Sequence, residues 1–468
     1  MAISNHLDQA MLRGLFTPID DEIDVDHLEV TGTIPSNLDG RFVRNGPNPK
    51  FEPRGRYHMF DGDGMLHSVT IADGSAQYRN RWIRTAALGA EERAGRALYG
   101  GLGEMYFPTP DEVGDAGPRK NPANTNLVRH AGRYWALYEA GLPTEVTADL
   151  ETIGVDDFDG RLVGSFTAHP RVDPRTGEMF AFQYSAFAPH LRVYAFDADG
   201  ALVRTDDVDM PACSVMHDFV ITERSLVFVD APLLFDLAGA MRGEAPFNWA
   251  PDHGTRVGVL PRSGGAISWF EIPDGYFNHF WNAWEDDGRI VLSGSCSPGD
   301  AYTNSGQGGE GTADASPGLP TRVVVDLVRG TATSEQIDDL GGDYPRINER
   351  LTGTRSRFHT MGAFAGTPDI IGHFDTVVQY DDHTGARTTW CAGPGSVVGE
   401  AVFAAATDGQ GENEGWLLCT VHDRATGATD LAVLDATDVA AGPVARIHMP
   451  QRLPFGFHAA WFGNDITH

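Results

Sequence analysis

The chain reads as an all-β meander closed into a propeller, and three observations point that way. The first is a recurring unit: a short β-rich run, a turn carrying Asp, Asn or Gly, then another β-rich run. Ile71-Ala72-Asp73-Gly74-Ser75, Asp173-Pro174-Arg175-Thr176-Gly177, Asp197-Ala198-Asp199-Gly200, Asp286-Asp287-Gly288-Arg289, Asp382-His383-Thr384-Gly385 and Asp423-Arg424-Ala425-Thr426-Gly427 are such turns. Asp-Gly and Asp-x-x-Gly between alternating apolar runs signal hairpins. The second is composition: Gly 55, Pro 28 and 10% aromatics, without a long amphipathic 3.6-residue pattern. The third is an argument about edges. Closely spaced hairpins along 468 residues must hide their open strand edges, and radial repetition does so economically. At roughly 50 to 60 residues per four-stranded blade, the length accommodates about seven blades. A single domain over residues 1–468 is expected.

Three stretches are too long for hairpin turns and are expected to gather as a cap on one face: about 86–125, 231–255 and 300–320. The first has helical character near residues 91–99. The second is apolar, Pro232-Leu233-Leu234-Phe235-Asp236-Leu237-Ala238-Gly239-Ala240-Met241 followed by Phe247-Asn248-Trp249, and reads either as a loop packed on the propeller or as an apolar access mouth. The third is rich in Gly and Ser and is assigned no chemistry. The Asp61-Gly62-Asp63-Gly64 run lacks the remaining ligands of a calcium loop and is read as a tight turn.

Charge and cysteine usage exclude several functions. With 35 Lys+Arg against 65 Asp+Glu, the net charge of −30 opposes a nucleic-acid partner. Cys213, Cys296, Cys391 and Cys419 form no CxxC pair, so they are read as buried small apolar residues. No apolar run is long enough to span a bilayer, and the N-terminus lacks the pattern of a secretion signal. A cytoplasmic monomer is expected, with peripheral membrane contact for uptake of a lipophilic substrate as a further expectation.

Four of the 17 histidines stand apart by their setting. His169 lies in Phe166-Thr167-Ala168-His169-Pro170, His217 in Ser214-Val215-Met216-His217-Asp218-Phe219, His279 in Phe277-Asn278-His279-Phe280-Trp281-Asn282-Ala283-Trp284-Glu285, and His458 in Pro454-Phe455-Gly456-Phe457-His458. Each begins or lies in an apolar strand, and the first three are spaced about one blade apart. A lone histidine there is ordinarily a buried residue satisfied by backbone. Four so placed are different, because the inner strands of successive blades all face the axis, where a metal could be held. The remaining histidines, among them His130, His359, His373 and His422, are read as loop or turn residues, solvated or locally bonded.

These blocks carry a family resemblance. Together with Gly40-Arg41-Phe42-Val43-Arg44-Asn45-Gly46-Pro47-Asn48-Pro49 and Tyr57-His58-Met59-Phe60-Asp61-Gly62-Asp63-Gly64-Met65-Leu66-His67, the four histidine segments occur in the order of the carotenoid cleavage oxygenases, which the chain resembles over nearly its whole length. The resemblance implies a seven-bladed propeller with one Fe(2+) on its axis, held by His169, His217, His279 and His458, and O2 as co-substrate. It also implies carboxylates that orient three of the imidazoles, at Glu139, Asp343 and Glu400. Asp343 stands where a glutamate is common and is one methylene shorter, so a backbone shift or a bridging water is expected there. Phe60, Tyr138, Phe280 and Trp281 are candidate residues of the substrate pocket.

The reading that results is an Fe(II)-dependent dioxygenase cleaving a C=C bond of a carotenoid or apocarotenoid to two carbonyl products. Cleavage of a phenolic stilbene or vinylphenol is the alternative within the family. Stilbene-cleaving members typically have a lysine where this chain has Tyr138, which weighs against that alternative. A metal-free propeller that only binds partners is the alternative outside it. Truncation just before His458 is expected to cost the iron first and the fold second.

Overall fold

The computed structural model describes residues 10–102, 105–242, 246–297, 318–365 and 373–464. Its strands form a seven-bladed β-propeller. The strands nearest the axis are Ala459–Gly463, Asn126–His130, Arg171–Val172, Val220–Ile221, Tyr276–Asp286, Gly342–Arg346 and, in the last blade, Ser396–Val398 beside Val402–Ala405. Within each blade the strands run antiparallel, and turns such as Asp73-Gly74 and Asp287-Gly288 place both residues at positive φ, which joins strands whose twist only such turns match.

The two ends of the chain close the ring twice. Ala459–Gly463 pairs with Gly40–Pro47 in the first blade, with Arg44 opposite Ala459. Val30–Gly32 pairs with Pro443–His448 in the last blade. Because the closing strand follows His458 directly, truncation before His458 removes the ring closure along with the histidine. The expected order, iron first and fold second, therefore gives way to loss of both together as the expectation.

The apolar core is divided into wedges between neighbouring blades. Phe42, Val69 and Ile71 of the first blade meet Val402, Leu418 and Leu431 of the last. Phe180 and Phe182 meet Phe219 and Phe228, and Val220, Val227 and Val257 meet Phe277, Phe280 and Leu292. Each wedge removes large side chains from water on both flanks of a sheet, so every blade depends on its neighbours.

Two of the three long stretches fold over the propeller. Helix Ala86–Ala94 starts where Leu88 N donates to Thr85 Oγ1 at 3.2 Å and ends at Gly95 with φ +67°. Its buried Glu91 shares Lys120 with Asp63 of the first blade, at 2.8 and 2.7 Å. In the second stretch, Leu233–Phe235 and Phe247–Trp249 form a hairpin around helix Leu237–Met241. Leu233 is buried with Val215 and Tyr276, while Met241 is exposed. Residues 300–317 of the third expected stretch lie outside the described residues.

Several expectations fail at the level of burial. Cys213 and Cys419 are buried as expected, but Cys296 is only partly buried and Cys391, at the end of an outer strand, is exposed. His359 and His422 lie inside strands Phe358–Ala363 and Gly415–Asp423 and are buried, as are His130 and His373. His359 and His422 are buried strand residues rather than loop residues, yet locally bonded as expected, to Ser356 for His359 and to Thr420 and Thr429 for His422.

Candidate metal centre

One group of side chains with metal-ligand chemistry is found among the described residues: His169, His217, His279 and His458, whose ligand atoms all lie within 4.8 Å of one another. The Nε2 atoms of His169 and His217 are 3.0 Å apart, and those of His279 and His458 are 3.2 Å apart. The rings of His169 and His458 meet nearly at right angles, 89°, with centroids 4.4 Å apart. Four different blades deliver the four rings, so no local sequence distance constrains them.

Three of the imidazoles are held from behind. His217 Nδ1 lies 2.6 Å from Glu139 Oε2, His279 Nδ1 lies 2.9 Å from Asp343 Oδ1, and His458 Nδ1 lies 3.2 Å from Glu400 Oε1. A carboxylate at Nδ1 keeps the proton there and leaves the Nε2 lone pair pointing at the other three rings. Burial pushes His169 well below the ordinary histidine value, reinforced by the three neighbouring imidazoles. Burial also lowers His458, whereas at His217 the Glu139 carboxylate outweighs burial and raises it. Burial alone would raise Glu139, but His217 and the Tyr184 hydroxyl hold it below the ordinary glutamate value.

Asp343 contacts His279 directly, by way of a backbone shift. Pairing of Gly342–Arg346 with its neighbour slips between Asp343 and Arg346, and Tyr344 adopts φ +58°. A bulge re-aims a side chain at the cost of a paired residue. Here it carries the shorter carboxylate up to the imidazole, and no bridging water is needed.

Other supporting groups left weaker traces in the sequence. Tyr184 donates its hydroxyl to Glu139 at 2.7 Å, and Asn278 Nδ2 donates to Asp343 Oδ2 at 2.8 Å. Arg171, Asp218 and Phe280 stitch the first three histidine segments together: Arg171 Nη2 lies 2.6 Å from Asp218 Oδ2, which accepts from Phe280 N at 3.0 Å. Charged Arg171 and Asp218 beside apolar inner strands were the available signal for this clamp.

The candidate pocket residues divide. Phe60 is half-buried and meets Phe457 edge-on at 5.4 Å, next to His458. Tyr138 is half-buried beside Glu139; burial, then the carboxylates of Asp61 and Glu139, push its phenol up and keep it protonated. Phe280 and Trp281, expected in the pocket, are core residues. Phe280 stacks on Phe277 at 5.1 Å in the wedge between the fourth and fifth blades. Trp281 packs with Met361 and Val378 in the next wedge and donates Nε1 to Thr360 O at 2.7 Å.

With this geometry in place, comparison with known proteins is decisive. The family described as Retinal pigment epithelial membrane protein matches residues 16–463. The chain belongs to the carotenoid cleavage oxygenase family. The chain is 35% identical over 485 residues to "Carotenoid 9,10(9',10')-cleavage dioxygenase 1" of Arabidopsis thaliana, covering 96% of this chain and 89% of that one. It is 35% identical over 503 residues to the "Carotenoid cleavage oxygenase" of Mycobacterium tuberculosis, covering 96% and 97%. The crystal structure of the lignostilbene dioxygenase of Pseudomonas brassicacearum superposes with a TM-score of 0.88 at 28% identity, over 98% of this chain and 99% of that one. As a carotenoid cleavage oxygenase the chain is an enzyme of the dioxygenase class, and its family acts on carotenoid-like lipophilic alkenes. The four-histidine group is compatible with the iron site typical of that family. No helix among the described residues is long and apolar enough to cross a membrane.

Proposed function

We propose that this enzyme binds one Fe(2+) through His169, His217, His279 and His458 and cleaves a C=C double bond of a carotenoid or apocarotenoid with O2, giving two carbonyl products. The observation that carries the reading is the convergence of four imidazole nitrogens, three of them fixed by Glu139, Asp343 and Glu400. The donor set fits the metal. Two nitrogens bound about 2.1 Å from one ion at right angles stand about 3.0 Å apart, matching the 3.0 and 3.2 Å separations. Neutral imidazoles suit a first-row divalent ion and leave it its full charge.

Iron bound there supplies the coordination and activation of dioxygen. The protein's own part is positional. The carboxylates fix the tautomer of three imidazoles, and the buried inner strands keep bulk water away from them. Conversion of one C=C bond and O2 into two C=O groups moves no proton overall, so the chain need supply neither acid nor base.

Tyr138 favours the carotenoid reading over the stilbene one. A phenol kept protonated beside Glu139 donates a hydrogen bond to a neutral oxygen but offers no positive charge to a phenolate. Similarity to the lignostilbene dioxygenase keeps phenolic alkenes as the second reading. Anaerobic iron loading followed by a product screen against apocarotenoids, stilbenes and vinylphenols tests both. One iron per chain and carbonyl products from an apocarotenoid are expected; turnover of phenolic alkenes alone would install the second reading. A chain that binds no iron would revert to the partner-binding scaffold.

We further propose a single-domain cytoplasmic monomer; light scattering on the purified enzyme checks the monomer, and a dimer mass would overturn it. The same reading places transient membrane contact at the apolar 231–255 stretch, where Met241 is exposed. Leu234→Glu with Phe235→Glu should then reduce turnover of vesicle-borne substrate several-fold more than that of detergent-solubilised substrate; equal loss in both would assign these residues to packing alone.

A further inference from the structure

Away from the histidine centre, one charged side chain lacks what burial normally demands. Arg44, in strand Gly40–Pro47, is 3% exposed, and its Nε and Nη2 have no hydrogen-bond partner. Arg44 is the one arginine among the buried described residues, and half-buried ones such as Arg171, Arg262 and Arg346 each have a carboxylate, Asp218, Asp173 and Glu349 respectively, although Arg262 also keeps Nε and Nη2 without a partner. Arg44 forms no such pair among the described residues.

Its surroundings explain why. The guanidinium lies against Gly456, where a Cβ would sit 2.6 Å from Cζ, so a side chain at that position of the terminal stretch would have to displace Arg44. His67 stands directly opposite Arg44 in the adjoining strand. The polar atoms nearby are engaged with one another: His67 Nδ1 with the Tyr78 hydroxyl at 2.8 Å, the same hydroxyl with Gln451 Nε2 at 3.2 Å, and both nitrogens of His422 with Thr420 and Thr429 at 3.2 Å. Burial holds His67 and His422 neutral, with the charge of Arg44 adding to the effect. Burial lowers Arg44 itself only to about 10, the phenols of Tyr78 and Tyr344 opposing the shift, so it stays cationic at neutral pH. The result is a fixed positive charge with two free donors inside a wall of neutral rings.

An ionised group withdrawn from water without a partner is strongly disfavoured, and a guanidinium meets that demand best through a charge-assisted bond to an anion. A single charge needs a single countercharge. Enclosure at 3% exposure among aromatic and imidazole rings suits a small ion better than a bulky ligand. We propose that Arg44 holds a small monovalent inorganic anion of the halide class, bound at its Nε and Nη2 within the ring of His67, Tyr78 and His422. This site is separate from the metal seat but adjoins it: Tyr344 stacks edge-on against His458 at 5.2 Å, and Gly456 precedes His458 by two residues. Occupancy fastens the terminal stretch to the first blade.

The test needs neither iron nor substrate. Crystals of the wild-type chain grown with bromide as the halide should give an anomalous peak at hydrogen-bond distance from Arg44 Nε or Nη2; water alone at that locus would overturn the proposal. In solution, replacing gluconate by chloride at constant ionic strength should raise the melting temperature of the wild type by about 2 °C and leave Arg44→Met unmoved. An equal rise in both proteins would also overturn it. Should Arg44→Met fail to fold, the bromide crystal of the wild type decides.

Discussion

Two corners of the candidate metal centre solve one problem differently. At His217 a full-length glutamate, Glu139, reaches the imidazole at 2.6 Å from the turn after a regular strand, and Tyr184 braces it. At His279 a shorter aspartate makes the same contact at 2.9 Å from an irregular strand, with Tyr344 at φ +58° and Asn278 bracing the second oxygen. The missing methylene has been replaced by backbone distortion and an extra donor. A carboxylate position is thus defined by where its oxygen arrives, and side-chain length and main-chain path are interchangeable means of getting it there. Distortion carries a cost of order 1–3 kcal/mol for a residue held at positive φ, so the second corner rests on its surroundings more heavily than the first.

The largest expected effect breaks the first corner. Glu139→Gln removes the charge behind His217 and should weaken iron binding by roughly 10–100-fold, measured by competition with a chelator; unchanged affinity would deny Glu139 its positioning role. A smaller effect probes the second corner. Asn278→Ala removes one donor from Asp343 and should weaken iron binding up to about tenfold, while Asn278→Asp, which puts a like charge beside it, should do worse than alanine. If the alanine variant binds iron normally, the bulge alone aims Asp343. Asp343→Glu sharpens the contrast: on a strand already shifted inward, the longer side chain should reduce affinity rather than improve it, and a gain would mean the distortion serves something else.

The smallest expected effect lies outside both corners. Burial holds His359 down to about 4 and His67 and His422 well below the ordinary histidine value. Such groups take up protons only on unfolding, so their contribution is complete above about pH 6.5 and declines as the pH falls below it, for His359 through the window toward 4. The melting temperature should therefore drop between pH 7 and pH 5, and less steeply in His359→Gln; parallel curves for the two proteins would show that His359 does not titrate on unfolding.

Much of this was legible from residues alone. Turn chemistry at Asp73-Gly74 or Asp287-Gly288 is local, so the hairpins announce themselves, and histidines at four strand starts are conspicuous against apolar flanks. Side-chain direction was less accessible. Strand Tyr276–Asp286 slips register between Phe277 and His279 and again between Phe280 and Asn282, so simple alternation could not tell that Phe280 and Trp281 enter the wedges between blades. Tyr184 and Asn278 were missed because their partners lie 45 and 65 residues away. Burial of His359 and His422 depends on neighbouring blades rather than on their own short surroundings.

The double closure of the ring also ties the integrity of the fold to that of the candidate site. The strand that seals the first blade, Ala459–Gly463, begins at the residue after His458, so seal and fourth imidazole sit on one uninterrupted stretch. A polypeptide terminated early lacks seal and site together, which leaves an incomplete product both unstable and without a metal centre.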